Sequence, residues 1–148
     1  MKDNRLLDGR AVRDRILAGV AERVAAASAK HPVGRLLSVS IGENKAAAVY
    51  VRGQASAAKR VGIRFEEEIW PSTLSQEEAK QRLVAMNDDP DVLGVILQRP
   101  VPRHINVRSL ASAIHPFKDI EGMNPASIGD SSTTISRSRR ARRPHRSS

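Results

Sequence analysis

A chain of 148 residues, 40% of them apolar, has the length and core material of one ordinary domain, and a second full domain does not fit. The absence of cysteine excludes disulfides, thiolate zinc sites and cysteine nucleophiles. The net charge of +9 overstates the basicity of the body: residues 131–148 hold six arginines and no acid, which leaves 19 basic against 16 acidic residues, a net +3, over residues 1–130. The start mixes both charge signs, and no apolar run approaches the roughly 18 residues of a membrane span, so a soluble, cytoplasmic chain with no membrane partner is expected.

Asp8 precedes Val12, Ile16, Val20 and Val24, a four-residue recurrence that predicts an N-capped amphipathic helix from Gly9 to Ala29. After His31-Pro32-Val33-Gly34, the alternation of Leu37, Val39 and Ile41 predicts a strand, closed by the turn residues Gly42-Glu43-Asn44. Lys45 to Val61 is rich in alanine and followed by Gly62, a helix with its C-terminal glycine. Ile63, Phe65 and Ile69 keep period two up to Trp70-Pro71, the mark of a second strand. Ser75 to Glu78 fits a capping box, with Ala79, Leu83 and Met86 on one helical face before the stop at Asn87 to Pro90. Val92 to Leu97 is a nearly continuous apolar run, the pattern of a strand buried on both faces of a parallel sheet. Asn106 to Ile114 forms a further short helix.

This order predicts an α/β domain, a three-layer arrangement with a parallel sheet covered by helices. Ligands of such sheets sit beyond the carboxyl ends of the strands, which directs attention to Gly42–Tyr50, Gln98–Pro102 and His115–Gly122. Tyr50 and Gln54 are four residues apart on one helix and project from one face, where they can line a pocket together. On spacing alone, Tyr50 reads first as an amphipathic core residue with its hydroxyl at the surface. Gln98 is either a ligand contact at a strand's rim or an ordinary strand-ending glutamine above the rigid Arg99-Pro100-Val101-Pro102 turn. In His115 to Gly122, two carboxylates and a lysine beside a glycine can bind a polar heterocycle or form a solvated charged loop. No Gly-x-Gly-x-x-Gly or phosphate-loop pattern occurs, and the four histidines have no metal-ligand spacing, so no cofactor-binding or metal residue is assigned.

Taken together, LLDGRAV at 6–12, YVRGQASAAKRVGI at 50–63, GVILQRPVP at 94–102 and HPFKDIEGMNPASIG at 115–129 resemble the methylenetetrahydrofolate dehydrogenase/cyclohydrolase family in order and spacing. The resemblance covers residues 5–130 and implies the family's first, folate-binding domain. It also implies NADP-linked oxidation of 5,10-methylenetetrahydrofolate, hydrolysis of 5,10-methenyltetrahydrofolate, and a homodimer. By this resemblance Tyr50 stacks on the folate ring system, Gln98 hydrogen-bonds the catalytic lysine, Pro100 belongs to the substrate-binding turn, and Glu121 stands where an aspartate holds the pterin, followed by Gly122. NADP belongs to a following Rossmann domain in the family, and no dinucleotide motif for it is found in this chain.

Four departures from the family pattern bear on activity. Gln54 occupies the position of the catalytic lysine, and a carboxamide cannot act as general acid or base near neutral pH, so hydrolysis is expected to be impaired. Glu121 is one methylene longer than the family's aspartate, and Ala47 replaces a frequent serine. After Gly129 the chain turns to arginine and serine. Permitted codons for SSTTISRSRRARRPHR, read one nucleotide earlier, encode IVYNDLALAPCTAAAS, which resembles the family's continuation, so the tail is expected to be out of frame and to lack stable packing. Six arginines without interleaved aromatics lack the pattern of a nucleic-acid binder, and no nucleic-acid partner is expected. The alternative to the enzymatic reading is a non-catalytic folate-binding or partner-binding protein of the same family.

Overall fold

The computed structural model describes residues 8–129, so the expectation for residues 131–148 lies outside the described residues. The elements run α1 (Gly9–Ser28), β1 (Arg35–Ile41), α2 (Lys45–Val61), β2 (Arg64–Trp70), α3 (Gln76–Asp88), β3 (Val92–Leu97) and α4 (Val107–Ala113), followed by a 3-10 turn at Pro116–Lys118. The three strands form a parallel sheet in the order β2-β1-β3.

Strand alternation separates two faces. Leu37, Val39 and Ile41 of β1, with Trp70, Val95 and Leu97, pack against Ala79, Leu83 and Met86 of α3 and Leu110 of α4, forming the main core. Ser38 and Ser40 turn to the opposite face, which Ala47, Val51, Ala58 and Val61 of α2 cover. Positions two residues apart share a face, so Gly94 and Ile96 of β3, and Gln98 directly after it, also look toward α2.

The local signals act as their chemistry requires. Asp8 Oδ1 accepts from the amides of Arg10 at 3.0 Å and Ala11 at 3.4 Å, Asn44 caps α2, and Ser75 and Glu78 form a reciprocal capping box. Gly62 ends α2 at φ 82°, the left-handed conformation that glycine adopts without a steric penalty. At the amino end of the strands, Arg35 pairs with Glu66, Asp89 and Asp91, and Asp91 also meets Arg64. Partial burial raises the Asp91 carboxyl, but the two guanidinium groups together hold it below the ordinary aspartate value.

Two burial patterns depart from expectation. The α1 stripe predicts a covered face, yet Val12 and Ile16 remain 52% and 59% exposed, while Leu17, Val20, Ala21 and Val24 further along the helix are half-buried. In β2 the period-two set ends on Ile69, which is 55% exposed; the anchor is Trp70, which registers with Ile41 on the α3 face. No described helix is long and apolar enough to cross a membrane.

Candidate functional site

The buried stripe of α2 runs through residues 47, 51, 58 and 61, and Gln54 sits on it at helical spacing. A carboxamide in an apolar stripe needs a partner. Gln98 supplies one, because it continues the α2-facing side of β3 and its backbone N–H still donates to Val39 O at 2.8 Å as the last rung of the sheet. Gln98 is 8% exposed, and its Nε2 donates to Gln54 Oε1 at 2.8 Å and to Ser38 Oγ at 3.0 Å. Ser38 is fully buried.

Around this pair lies a cavity of about 210 Å³ lined by Tyr50, Gln54, Leu97, Gln98, Arg99 and Glu121. Tyr50, one turn before Gln54, is 73% exposed, which sets aside the core-residue reading and leaves its ring free at the cavity mouth. Glu121 arrives by a different route. Asp119 bridges Val95 in parallel, so residue 121 comes level with Leu97 beside the carboxyl end of β3.

The segment leading to Glu121 is held by hydrogen bonds of both of its other charged side chains. Lys118 Nζ donates to Met86 O at 3.0 Å and Asp89 O at 2.6 Å, closing the carboxyl end of α3. Asp119 accepts from the amides of Met123 and Asn124 and from Ser127 Oγ. Both charges are therefore structural, and Glu121 is the carboxylate of this segment that lines the cavity. Gly122, at φ 66°, turns the chain directly after it and does not itself line the cavity. Pro100 follows a cis peptide bond from Arg99 and is exposed at the rim, outside the lining set.

The first strand-end segment contributes only Tyr50. Gly42, Glu43, Asn44 and Lys45 border a separate depression with Ser40 and Ile69. A larger apolar groove of about 470 Å³, between α1, residues 31–33, Ile63 and Leu93, offers only Arg23 and His31 as polar side chains and lacks convergent chemistry. Sequence reasoning did not single out Ser38 or Arg99; for Ser38 the available signal was a hydroxyl inside an otherwise apolar central strand.

The described residues do not fit a dinucleotide. A pyrophosphate needs free amides at a helix N-terminus, but Asn44 Oδ1 occupies those of Ala46 and Ala47, and Ser75 and Asn106 likewise cap α3 and α4. Among the described residues, no group of three His, Cys, Asp or Glu side chains converges to hold a metal ion.

Comparison with known proteins agrees with this architecture. The family described as "Tetrahydrofolate dehydrogenase/cyclohydrolase, catalytic domain" matches residues 7–121. The bifunctional protein FolD of Rhodobacter capsulatus is 57% identical over 129 residues, covering 87% of this chain and 43% of that protein. The crystal structure of the bifunctional FolD dehydrogenase/cyclohydrolase from Campylobacter jejuni superposes with a TM-score of 0.79 at 27% identity, over 82% of this chain and 43% of that one. The Trypanosoma brucei dehydrogenase-cyclohydrolase, complexed with NADP and an inhibitor, gives a TM-score of 0.77 at 28% identity, over 84% and 43%. The chain thus spans less than half the length of these relatives. The match over residues 7–121, on a fold shared with the solved relatives, shows that the chain belongs to the tetrahydrofolate dehydrogenase/cyclohydrolase family.

Proposed function

We propose that the cavity at the carboxyl end of β3 binds a reduced folate, and that this chain is slow in the chemistry its family performs on that ligand. The observation that carries the reading is the joining of Gln54 to Gln98 at the cavity, with the exposed Tyr50 ring at its mouth. Tyr50 offers an aromatic face to a flat heterocycle, Glu121 accepts hydrogen bonds from ring N–H groups, and Gln98 fixes the adjoining polar edge. Pro100 and Gly122 shape the two turns that carry Arg99 and Glu121 to the rim.

Hydrolysis of a methenyl folate adds water to a cationic carbon and requires a group that removes a proton from that water. Gln54 holds the position from which the family's lysine acts, and its amide neither gains nor loses a proton near neutral pH. Oxidation of methylenetetrahydrofolate to the methenyl compound releases a hydride to NADP in the family. The described residues hold no site for that acceptor, so this reaction requires a dinucleotide domain as well. Binding without rapid turnover is the resulting behaviour, and it favours the non-catalytic reading. A homodimer and a cytoplasmic location belong to the same proposal and rest on family resemblance.

Binding of 5-formyltetrahydrofolate, a stable reduced folate, to the full chain tests the site by calorimetry. Tyr50→Ala should weaken binding about tenfold through loss of the ring contact, and Gln98→Ala about fivefold through loss of a hydrogen-bonding group. Equal affinity in all three proteins would contradict the assignment.

A further inference from the structure

We propose that Ser38 is a positioning residue for this cavity: its hydroxyl, together with the Gln54 carbonyl, fixes the rotation of the Gln98 carboxamide and leaves Gln98 Oε1 as the acceptor offered to a ligand. The inference deepens the folate reading and rests on it only for its ligand-binding arm.

Ser38 lies in the middle of the central strand between Leu37 and Val39, and it is 0% exposed. A buried hydroxyl without a partner is costly, and serine adds little to strand formation, so the position demands a reason. Smallness alone is not one, since alanine would pack against α2 with the same ease. The hydroxyl stands 3.0 Å from Gln98 Nε2, which also lies 2.8 Å from Gln54 Oε1. A carboxamide nitrogen carries two hydrogens, so both are spent on these neighbours and the remaining polar atom of Gln98 is its carbonyl oxygen. With only one of the two acceptors, rotation about the terminal torsion of glutamine is soft and the oxygen is poorly aimed.

The serine hydroxyl has a second property that fits position 54. A hydroxyl both accepts and donates, so it can hold Gln98 in either rotation. With Gln54 it accepts from the Gln98 amide. With a lysine at 54, which only donates, Gln98 turns its oxygen toward the ammonium and Ser38 donates in its turn. Residue 54 therefore selects the direction of the Gln98 amide, and Ser38 holds the direction selected, at the wall facing the ligand.

Side-chain amide hydrogen exchange of Gln98, measured by NMR on the full chain, reads this role directly. In the unaltered protein both Gln98 side-chain hydrogens should exchange slowly. Ser38→Ala should accelerate them about tenfold while the Gln98 backbone N–H, bound to Val39 O, keeps its protection. Ser38→Thr, which restores a hydroxyl, should restore slow exchange. In the ligand arm, Ser38→Ala should raise the Kd for 5-formyltetrahydrofolate about fivefold and Ser38→Thr should recover it. Unchanged side-chain exchange in Ser38→Ala would overturn the proposal, as would loss of the backbone protection alongside it, which would mark a purely structural role. If the unaltered chain bound no folate, the functional reading would fall, and the exchange rates would still decide the role of Ser38.

Discussion

Two glycines show how much depends on single positions, one for the fold and one for the site. A Cβ on Gly34 would lie 2.3 Å from the backbone oxygen of Asp91, which cannot swing aside, whereas a Cβ on Gly94 would meet the side-chain end of Ile120 at 2.2 Å. Gly34→Ala should therefore destabilise the fold by about 1–3 kcal/mol, measured by urea denaturation. Gly94→Ala should cost less stability, because the half-exposed Ile120 can rotate, yet it should weaken folate binding by displacing the segment that delivers Glu121. Loss of stability without loss of binding in Gly94→Ala would contradict this division. Neither glycine's neighbour could be named from sequence, since Gly34 and Asp91 meet only through the parallel pairing of β1 with β3. Residue pairs within one element were more legible: the spacing of Tyr50 and Gln54 gave their common face, while the partnership of Gln54 with Gln98 required the fold.

Among the elements, α3 is the one whose ends can be tested independently of the cavity. Ser75 Oγ accepts from the Glu78 amide at 3.2 Å, and Glu78 Oε2 accepts from the Ser75 hydroxyl at 2.7 Å and its amide at 3.1 Å. These hydrogen bonds from Ser75 hold the Glu78 carboxyl below its ordinary value of 4.5. A carboxyl depressed on folding stabilises the protein above 4.5 and loses that contribution as pH falls through its lower folded value. Glu78→Gln should therefore flatten the acid limb of the stability–pH curve below 4.5, whereas an unchanged limb would contradict the box as its source. Ser75→Ala should cost about 1 kcal/mol near neutral pH, read from the thermal midpoint. The box was visible in four consecutive residues because every one of its bonds is local. Lys118, which closes the other end of α3 from 29 residues beyond Asp89, gave no such signal and looked like part of a charged loop.

For the whole molecule, the order of strands and helices was legible because each strand is short, apolar and bounded by turn residues, and the parallel sheet follows from the helical connections between strands. Coverage was less legible. The apolar repeat of α1 states that one face avoids water but does not name what covers it, and Val12 and Ile16 stay exposed among the described residues. The site combines both kinds of information: sequence reading found Tyr50, Gln54, Gln98 and Glu121 one by one, and the fold joins them around one cavity through β3, α2 and the Asp119 bridge. That convergence, together with an amide in place of an amine at residue 54, supports the proposal of folate binding with slow hydrolysis. Hydrolysis of 5,10-methenyltetrahydrofolate, followed spectrophotometrically above the spontaneous rate for the full chain and for Gln54→Lys, tests it most directly. The account predicts little catalysis by the unaltered chain and a gain of at least about a hundredfold on restoring the amine; equally fast hydrolysis by the two proteins would contradict it.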